Sequence, residues 1–235
     1  MRARLLVTRP DDDAARLAAD LEARGFSVDT APMLSIRPLP ARDLSLHGVV
    51  ALLVTSANGL RAFAAATPER GLAVYAVGEA SARAARAAGF RDVQAAGGDV
   101  QSLAALVQAQ AKPAAGRLLH VAGESLAGDL KGLLEAAGFA VTRATLYAAD
   151  PAAAFPAPVA RHLSDSAYGG VLFFSPRTAA TFATLAIGHA LQQTAAFCLS
   201  AAVAQAVVSL PWRRILVAAE PSEAALLAAL DEEFA

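Results

Sequence analysis

An apolar run of strand length, a hydroxyl-bearing turn and a helical pattern occur in that order twice, once in each half of the chain. One copy reads VALLVTSANGLRAF, from Val50 to Phe63; the other reads GVLFFSPRTAATF, from Gly170 to Phe182. Each places a serine, Ser56 or Ser175, just past the apolar run and just before the helical pattern. A strand that passes into a helix within so few residues belongs to a β-α-β unit, and such units build parallel sheets covered by helices. Two similar modules are therefore implied. Open α/β sheets bind ligands beyond the carboxyl ends of their strands, so a cleft between the two modules is the first site to consider.

Alternation of strand and helix runs along nearly all 235 residues. LLVT (Leu5–Thr8) is a short strand, and Pro10 with Asp11, Asp12 and Asp13 supplies the chemistry of a helix start. FSVDTAPML follows as a second strand, and RPLP (Arg37 to Pro40) reads as a linker because proline resists helix and central strand alike. Strands are then expected at VALLVT, LAVYAVG, FRDVQAA, RLLHVAG and FAVTRATLYA, with helices at ANGLRAFAAA, EASARAARAAG, VQSLAALVQAQA and SLAGDLKGLLEAAG. A glycine followed by phenylalanine ends three of the helical patterns (GFSV, GFRDV, GFAV), an internal echo and not a solenoid repeat. The Ala- and Pro-rich stretch Ala148–Pro158 is a second linker. Beyond it come strands at Gly170–Phe174, Ala195–Ser200 and RRILVAA, and helices at Ser175–Ala186, Ala201–Ser209 and PSEAALLAALDEEF.

The fold class that follows is α/β, with two doubly wound parallel sheets. The block 40–147 has strands enough for its own sheet, whereas the first β-α-β is too small to fold alone. We expect residues 1–37 to complete a discontinuous domain with 152–235, with linkers near 37–46 and 148–158. A sequential split into 1–110 and 117–235 is the other topology that periodicity allows.

Composition narrows the function classes. Twenty Lys and Arg against 21 Asp and Glu leave a formal charge of −1, which argues against a broad nucleic-acid surface. Hydrophobic residues make up 56%, yet charges and glycines interrupt them before the roughly 18 consecutive apolar residues of a membrane span. MRARLLVTRPDDD has too short an apolar run for a signal peptide, so a cytoplasmic protein without membrane association is expected. The single cysteine, Cys198, lies in AAFCLS and reads as a buried strand residue. The four histidines, His47, His120, His162 and His189, lack metal-ligand spacing.

GxGxxG, CxxC, HExxH and GxSxG are all absent, and GESLAG (Gly123 to Gly128) continues with Asp129 and Leu130 where a phosphate-binding loop needs Lys and Ser/Thr. What recurs is a polar turn at each strand end. Thr8-Arg9-Pro10, Ser56-Ala57-Asn58-Gly59, Gly78 to Ser81, Gly123-Glu124-Ser125, Ser175-Pro176-Arg177-Thr178 and Ser200 all fit. Helix N-terminal amides with hydroxyls and an occasional arginine suit carboxylates or phosphates. Each serine taken singly is better explained as an N-cap contributing about 1 kcal/mol. Their clustering at one sheet edge favours a site. Tyr147 ends a strand at the second linker, and its phenol can donate to a leaving group or simply pack.

Taken in order, VTRP, LLVTSANGLRAF, YAVGEASARAARAAGF, LLHVAGE, the helix-Gly-Phe-Val unit leading to TLY, and FFSPRTAATF resemble the uroporphyrinogen-III synthase family over essentially the whole chain. The resemblance implies two α/β domains joined by a two-stranded connector and a reaction without cofactor or metal. It implies that linear hydroxymethylbilane loses its hydroxyl as water and closes through a spiro intermediate, the last ring inverted. The substrate would be bound as a polycarboxylate by the turns above and passed on from hydroxymethylbilane synthase; a monomer is expected. Residue by residue, Tyr147 matches the family tyrosine that assists departure of the hydroxyl, Ser56 and Ser175 match serines after paired strands, and Ser81 stands where threonine is usual. The family's Gly-Pro-Thr-Thr turn is replaced here by CLSAAVA, where Ser200 substitutes in part. A non-catalytic two-domain binding or sensor protein for an anionic small molecule is the alternative.

Overall fold

The computed structural model describes residues 2–42, 44–126 and 128–235. Residue 43 in the first expected linker, residue 127 in GESLAG and the side chains of Asp11 and Asp12 lie outside what is described. The chain divides into two compact units, Met1–Ser35 with Asp150–Ala235 (unit 1) and Ile36–Ala149 (unit 2).

Unit 1 opens with β1 (Arg4–Val7), α1 (Asp11–Ala23) and β2 (Ser27–Thr30). β3 (Leu34–Pro38) leads into unit 2, which continues with β4 (Val49–Val54), α2 (Ala57–Ala66), β5 (Ala73–Ala76), α3 (Glu79–Ala87) and β6 (Val93–Ala95). It closes with α4 (Val100–Gln110), β7 (Arg117–Gly123), α5 (Leu130–Ala136) and β8 (Ala140–Pro151). Unit 1 resumes with α6 (Ala157–Ser164), β9 (Tyr168–Phe173), α7 (Pro176–Leu185), β10 (Ala195–Cys198), α8 (Ala201–Gln205), β11 (Arg214–Val217) and α9 (Glu223–Glu233).

The Gly-Phe echo has a local physical cause. Gly25, Gly89 and Gly138 take φ of +86°, +97° and +86°, a region that costs glycine little. The next residue then donates back into the last helical turn: Phe26 N–H to Leu21 O, Phe90 to Ala85 O and Phe139 to Leu134 O, at 3.0–3.2 Å. These are Schellman closures of α1, α3 and α5, and each phenylalanine is buried as its hydrophobic partner.

In unit 1 the strand order is β11-β10-β9-β1-β2, all parallel. Side chains alternate between two cores, as the two-residue period of a strand requires. Leu6, Val171, Phe173, Ala196 and Cys198 face one side with α6, α7 and α8, while Leu5, Val7, Leu172 and Phe197 face α1 and α9. Cys198 is fully buried, and burial pushes its thiol up to about 12, so it is inert packing. Near the amino ends of these strands Asp29 accepts from Tyr168 Oη at 2.7 Å and Arg4 at 3.2 Å, with His162 Nδ1 at 2.8 Å. Burial raises the Asp29 carboxyl, but the three bonds together outweigh it and hold the group below its usual range.

In unit 2 the order is β3-β8-β7-β4-β5-β6, and the run from β8 to β6 is parallel. Leu52, Val54, Leu119, Val121 and Leu146 pack on α2 and α3; Ala51, Leu53, Leu118 and Val141 pack on α4 and α5. β3 lies antiparallel to β8, since Ala152 N–H donates to Met33 O and Leu39 N–H to Leu146 O.

The structure makes more of the two Pro-bearing segments than irregular linker. Pro38 ends β3, which is an edge strand where a missing N–H leaves no ladder bond unmade. β8 runs on to Pro151, and Pro158 sits in the first turn of α6, where its absent N–H has no helical partner to lose. α5 and α8 are shorter than their apolar periodicity implies. Asp129 caps α5 by accepting from Gly132 N–H at 2.8 Å, so that helix starts after GESLAG.

Candidate functional site

Strand order reverses once in each sheet. In unit 2 the chain steps from β4 outward to β5 and β6, then returns to place β7 and β8 on the other side of β4. In unit 1 it steps from β1 to β2, then places β9, β10 and β11 on the other side of β1. Helices leave in opposite directions at such points and open a crevice beyond the strand ends. The duplicated phrases are the exits of β4 and β9, so both border these crevices.

In unit 2, Ser56 is the N-cap of α2, its Oγ accepting from Asn58 N–H at 3.2 Å, and Ala57 opens the helix. Asn58 Oδ1 accepts from Arg61 Nη1 at 2.9 Å. Gly78 is the N-cap of α3; Ser81 is buried in the first turn and its hydroxyl makes no hydrogen bond among the described residues. Gly123 ends β7, and the exposed Glu124 donates its N–H to Tyr147 O at 3.0 Å.

Tyr147 is the centre of this group. It is 9% exposed, and its ring lies directly on Gly123, where an added Cβ would meet Cζ at 2.7 Å. A Cβ on Gly59 would come within 3.7 Å of Cε1 of the same ring and within 2.6 Å of Val121 O. The phenol is thus lodged at the β4–β7 reversal, beside the first turn of α2 and the last residue of β7. Two glycines supply the room, and both stand in the polar turns expected from sequence.

Two further groups in this region escaped the sequence reading as site residues. Arg143 on β8 donates from Nη2 to Gly123 O, and to Glu124 O at 2.9 Å. His120 on β7 pairs through Nε2 with Thr55 Oγ1 at 3.0 Å. Burial, and then the nearby Arg143 charge, push the His120 imidazole down to about 4, so it is neutral at pH 7. Gly59, already among the expected turn residues, had a visible signal, a glycine three residues into a helix, where it costs about 1 kcal/mol against alanine. Arg143 and His120 had none beyond being polar residues within apolar strands.

In unit 1, Thr8 is fully buried and its hydroxyl donates to Leu172 O at 2.8 Å, joining β1 to β9 at the reversal. Arg9 stacks over Phe174, its Cζ 4.3 Å from the ring centroid, and pairs with Glu223 Oε2 at 2.5 Å and Asp13 at 3.6 Å. Burial raises the Glu223 carboxyl, but Arg16 and Arg9 outweigh it, so Glu223 stays ionised and holds Arg9 to this edge. Ser175 Oγ accepts from Thr178 N–H at 3.2 Å and shares a hydrogen bond with Thr178 Oγ1 at 2.5 Å. Pro176 opens α7, and Arg177 is exposed in its first turn. Ser200 is the N-cap of α8, but its side chain makes no capping bond. The expected residues therefore fall into two groups, one at the carboxyl edge of each sheet.

Chemically, the unit 2 group offers one phenol, helix-start amides, hydroxyls and an amide beside the charged Arg61, Glu124 and Arg143, without paired carboxylates among the described residues. That suits hydrogen bonding to a departing hydroxyl and to carboxylates more than strong acid-base work. The family model described as uroporphyrinogen-III synthase HemD matches residues 15–228. No curated protein is a significant match. Among solved structures, the uroporphyrinogen-III synthetase of Helicobacter pylori 26695 is similar with a TM-score of 0.68 and 14% identity, over 99% of this chain and 100% of that one. A mutant uroporphyrinogen III synthase of the extremely thermophilic bacterium Thermus thermophilus is similar with a TM-score of 0.57 and 17% identity, over 98% and 97%. Those likenesses carry the fold, and the family match spans most of the sequence: this chain belongs to the uroporphyrinogen-III synthase family.

Proposed function

We propose that Tyr147 serves the family reaction in this chain, with the turns around it holding the reacting end of the substrate. The chain is an enzyme of this family, a cyclising lyase of haem biosynthesis that turns linear hydroxymethylbilane into uroporphyrinogen III with loss of water. The observation that carries the role of Tyr147 is its seat against Gly59 and Gly123 at the β4–β7 reversal. There the phenol can donate to the terminal hydroxyl, which leaves as water. The pyrrole nitrogen supplies the electron pair that expels it, so the resulting azafulvenium needs little further acid catalysis.

The harder task is regiochemistry. Unassisted closure joins the cation to the free α-carbon of the last ring. Inversion needs attack from its substituted α-carbon, which is a matter of orientation; correct placement can lower a barrier by several kcal/mol. Ser56, Ala57, Asn58, Gly78, Ser81, Gly123 and Glu124 are proposed as the unit 2 contacts. Thr8, Arg9, Ser175, Pro176, Arg177 and Ser200 are proposed for unit 1, chiefly through helix-start amides toward carboxylates. Two of these are supported least by geometry: the Thr8 hydroxyl and the Arg9 guanidinium already have partners. We further propose that the units act as doubly wound domains joined by β3 and β8 as connector, in a cytoplasmic monomer that receives its substrate from hydroxymethylbilane synthase.

Purified protein incubated with freshly generated hydroxymethylbilane, followed by oxidation and isomer separation, tests the reading. The type III isomer is expected from the parent, and Tyr147→Phe should lower kcat about 10- to 100-fold while leaving the isomer type III. An unchanged kcat in Tyr147→Phe would remove the tyrosine from the mechanism.

A further inference from the structure

The register of β7 against β8 changes at one place. Ala122 pairs with Thr145, but Gly123 pairs with Tyr147, so Leu146 is left without an opposite residue on β7. Bulges of this kind re-aim the side chain that follows, and here that side chain is Tyr147. Four bonds and contacts hold the shifted register. Arg143 Nη2 donates both to Gly123 O and to Glu124 O, Glu124 N–H donates to Tyr147 O, and the Tyr147 ring rests on the bare Cα of Gly123. Arg143 itself comes four residues before Tyr147 on the same strand and pairs with His120 in the ladder.

The arginine accepts a cost to sit there. Its Nε is buried with no hydrogen-bond partner among the described residues, and an unpaired buried donor typically costs about 1–3 kcal/mol. Its charge also lies against His120, which burial already disfavours protonating. A side chain kept only to finish a strand surface has cheaper alternatives.

We propose that Arg143 is a positioning residue for the reaction, one that holds the Gly123-Glu124 peptide and through it sets the Tyr147 phenol. This rests on the reading of Tyr147 given above. Among the described residues Arg143 hydrogen-bonds to the Gly123 and Glu124 carbonyls and not to the phenol, and in this role it does not bind the substrate. Its contribution is to turnover and not to substrate affinity.

The test is a kinetic double-mutant cycle of Arg143→Met and Tyr147→Phe, with Arg143→Lys as the conservative variant and thermal unfolding of each protein as a control. Arg143→Met is expected to lower kcat about 10- to 100-fold, with KM within about twofold, because loss of fixed geometry acts on the reacting step. Lysine keeps a charged donor that can reach a carbonyl, so Arg143→Lys should recover part of the loss. The double variant should be no slower than Tyr147→Phe alone. A raised KM with kcat retained would make Arg143 a direct partner of a substrate carboxylate and overturn the proposal. Multiplying effects in the double variant, or a kcat unchanged in both Arg143 variants, would overturn it too. Should Arg143→Met fail to fold, the kcat of Arg143→Lys decides: a fall that vanishes in the Tyr147→Phe background supports the proposal, and no fall overturns it. A Tyr147→Phe enzyme as fast as the parent sinks the tyrosine reading itself, whereas a slow one beside fully active Arg143 variants sinks only this inference.

Discussion

Acid should destabilise this protein through His120 in a pH window that the structure defines. The imidazole is 3% exposed, pairs with Thr55 Oγ1, and is pushed down to about 4 from an ordinary value of 6.5, first by burial and then by Arg143. Between those two values the unfolded chain binds a proton at His120 and the folded chain does not. Stability at this site is therefore complete above about pH 6.5, falls as pH drops toward 4, and levels off below that. The gap between the two values corresponds to about 3 kcal/mol at most. His120→Leu removes the titration. At pH 7.5 it should cost about 1–2 kcal/mol, because the Thr55 hydroxyl loses its partner. At pH 4 the parent has lost more than that, so the variant should equal or exceed it. Urea unfolding followed by far-ultraviolet circular dichroism at half-unit steps from pH 4 to 7.5 measures both curves. Parallel curves for parent and variant, with a constant gap between them, would refute the reasoning.

Three further outcomes follow from the geometry. Gly123→Ala forces a Cβ to 2.7 Å from the Tyr147 ring, so it should cost about 1–3 kcal/mol in chemical unfolding and lower kcat by displacing the phenol. Asp29→Asn removes the charge that Arg4, Tyr168 and His162 share, and should cost about 2–3 kcal/mol at pH 7. Because the folded Asp29 carboxyl lies below its unfolded value, that cost is full above the unfolded value and should shrink as pH falls through the folded one; unfolding at pH 3 and 7 checks this. Ser175→Ala removes the α7 cap, worth about 1 kcal/mol in chemical unfolding; because the enzyme stays folded in the assay, a raised KM for hydroxymethylbilane would mark Ser175 as a substrate contact as well, and an unchanged KM would leave it a cap.

What the sequence determined by itself is what depends on neighbours a few residues apart. A helix needs its cap, its apolar face and its stop within one stretch of chain, so Ser56, Ser175 and the three Gly-Phe closures were readable from the chain alone. The alternation of β and α elements was readable for the same reason, and with it the parallel sheets. Reading faltered where local chemistry is ambiguous. Pro38 at the end of an edge strand and Pro158 in a first helical turn look like linker prolines until their hydrogen-bond partners are known. Tertiary structure alone decided strand order, since a period of two says which face a residue takes and nothing about which strand lies alongside. It therefore decided that β4 and β7 meet at the reversal in one unit and β1 and β9 in the other. It decided the partners that define the candidate site as well: Arg9 meets Glu223 from 214 positions away, Thr55 meets His120 across 65, and the Tyr147 ring meets Gly59 and Gly123. Those contacts join residues far apart along the chain, and they exist only once the strands are laid side by side.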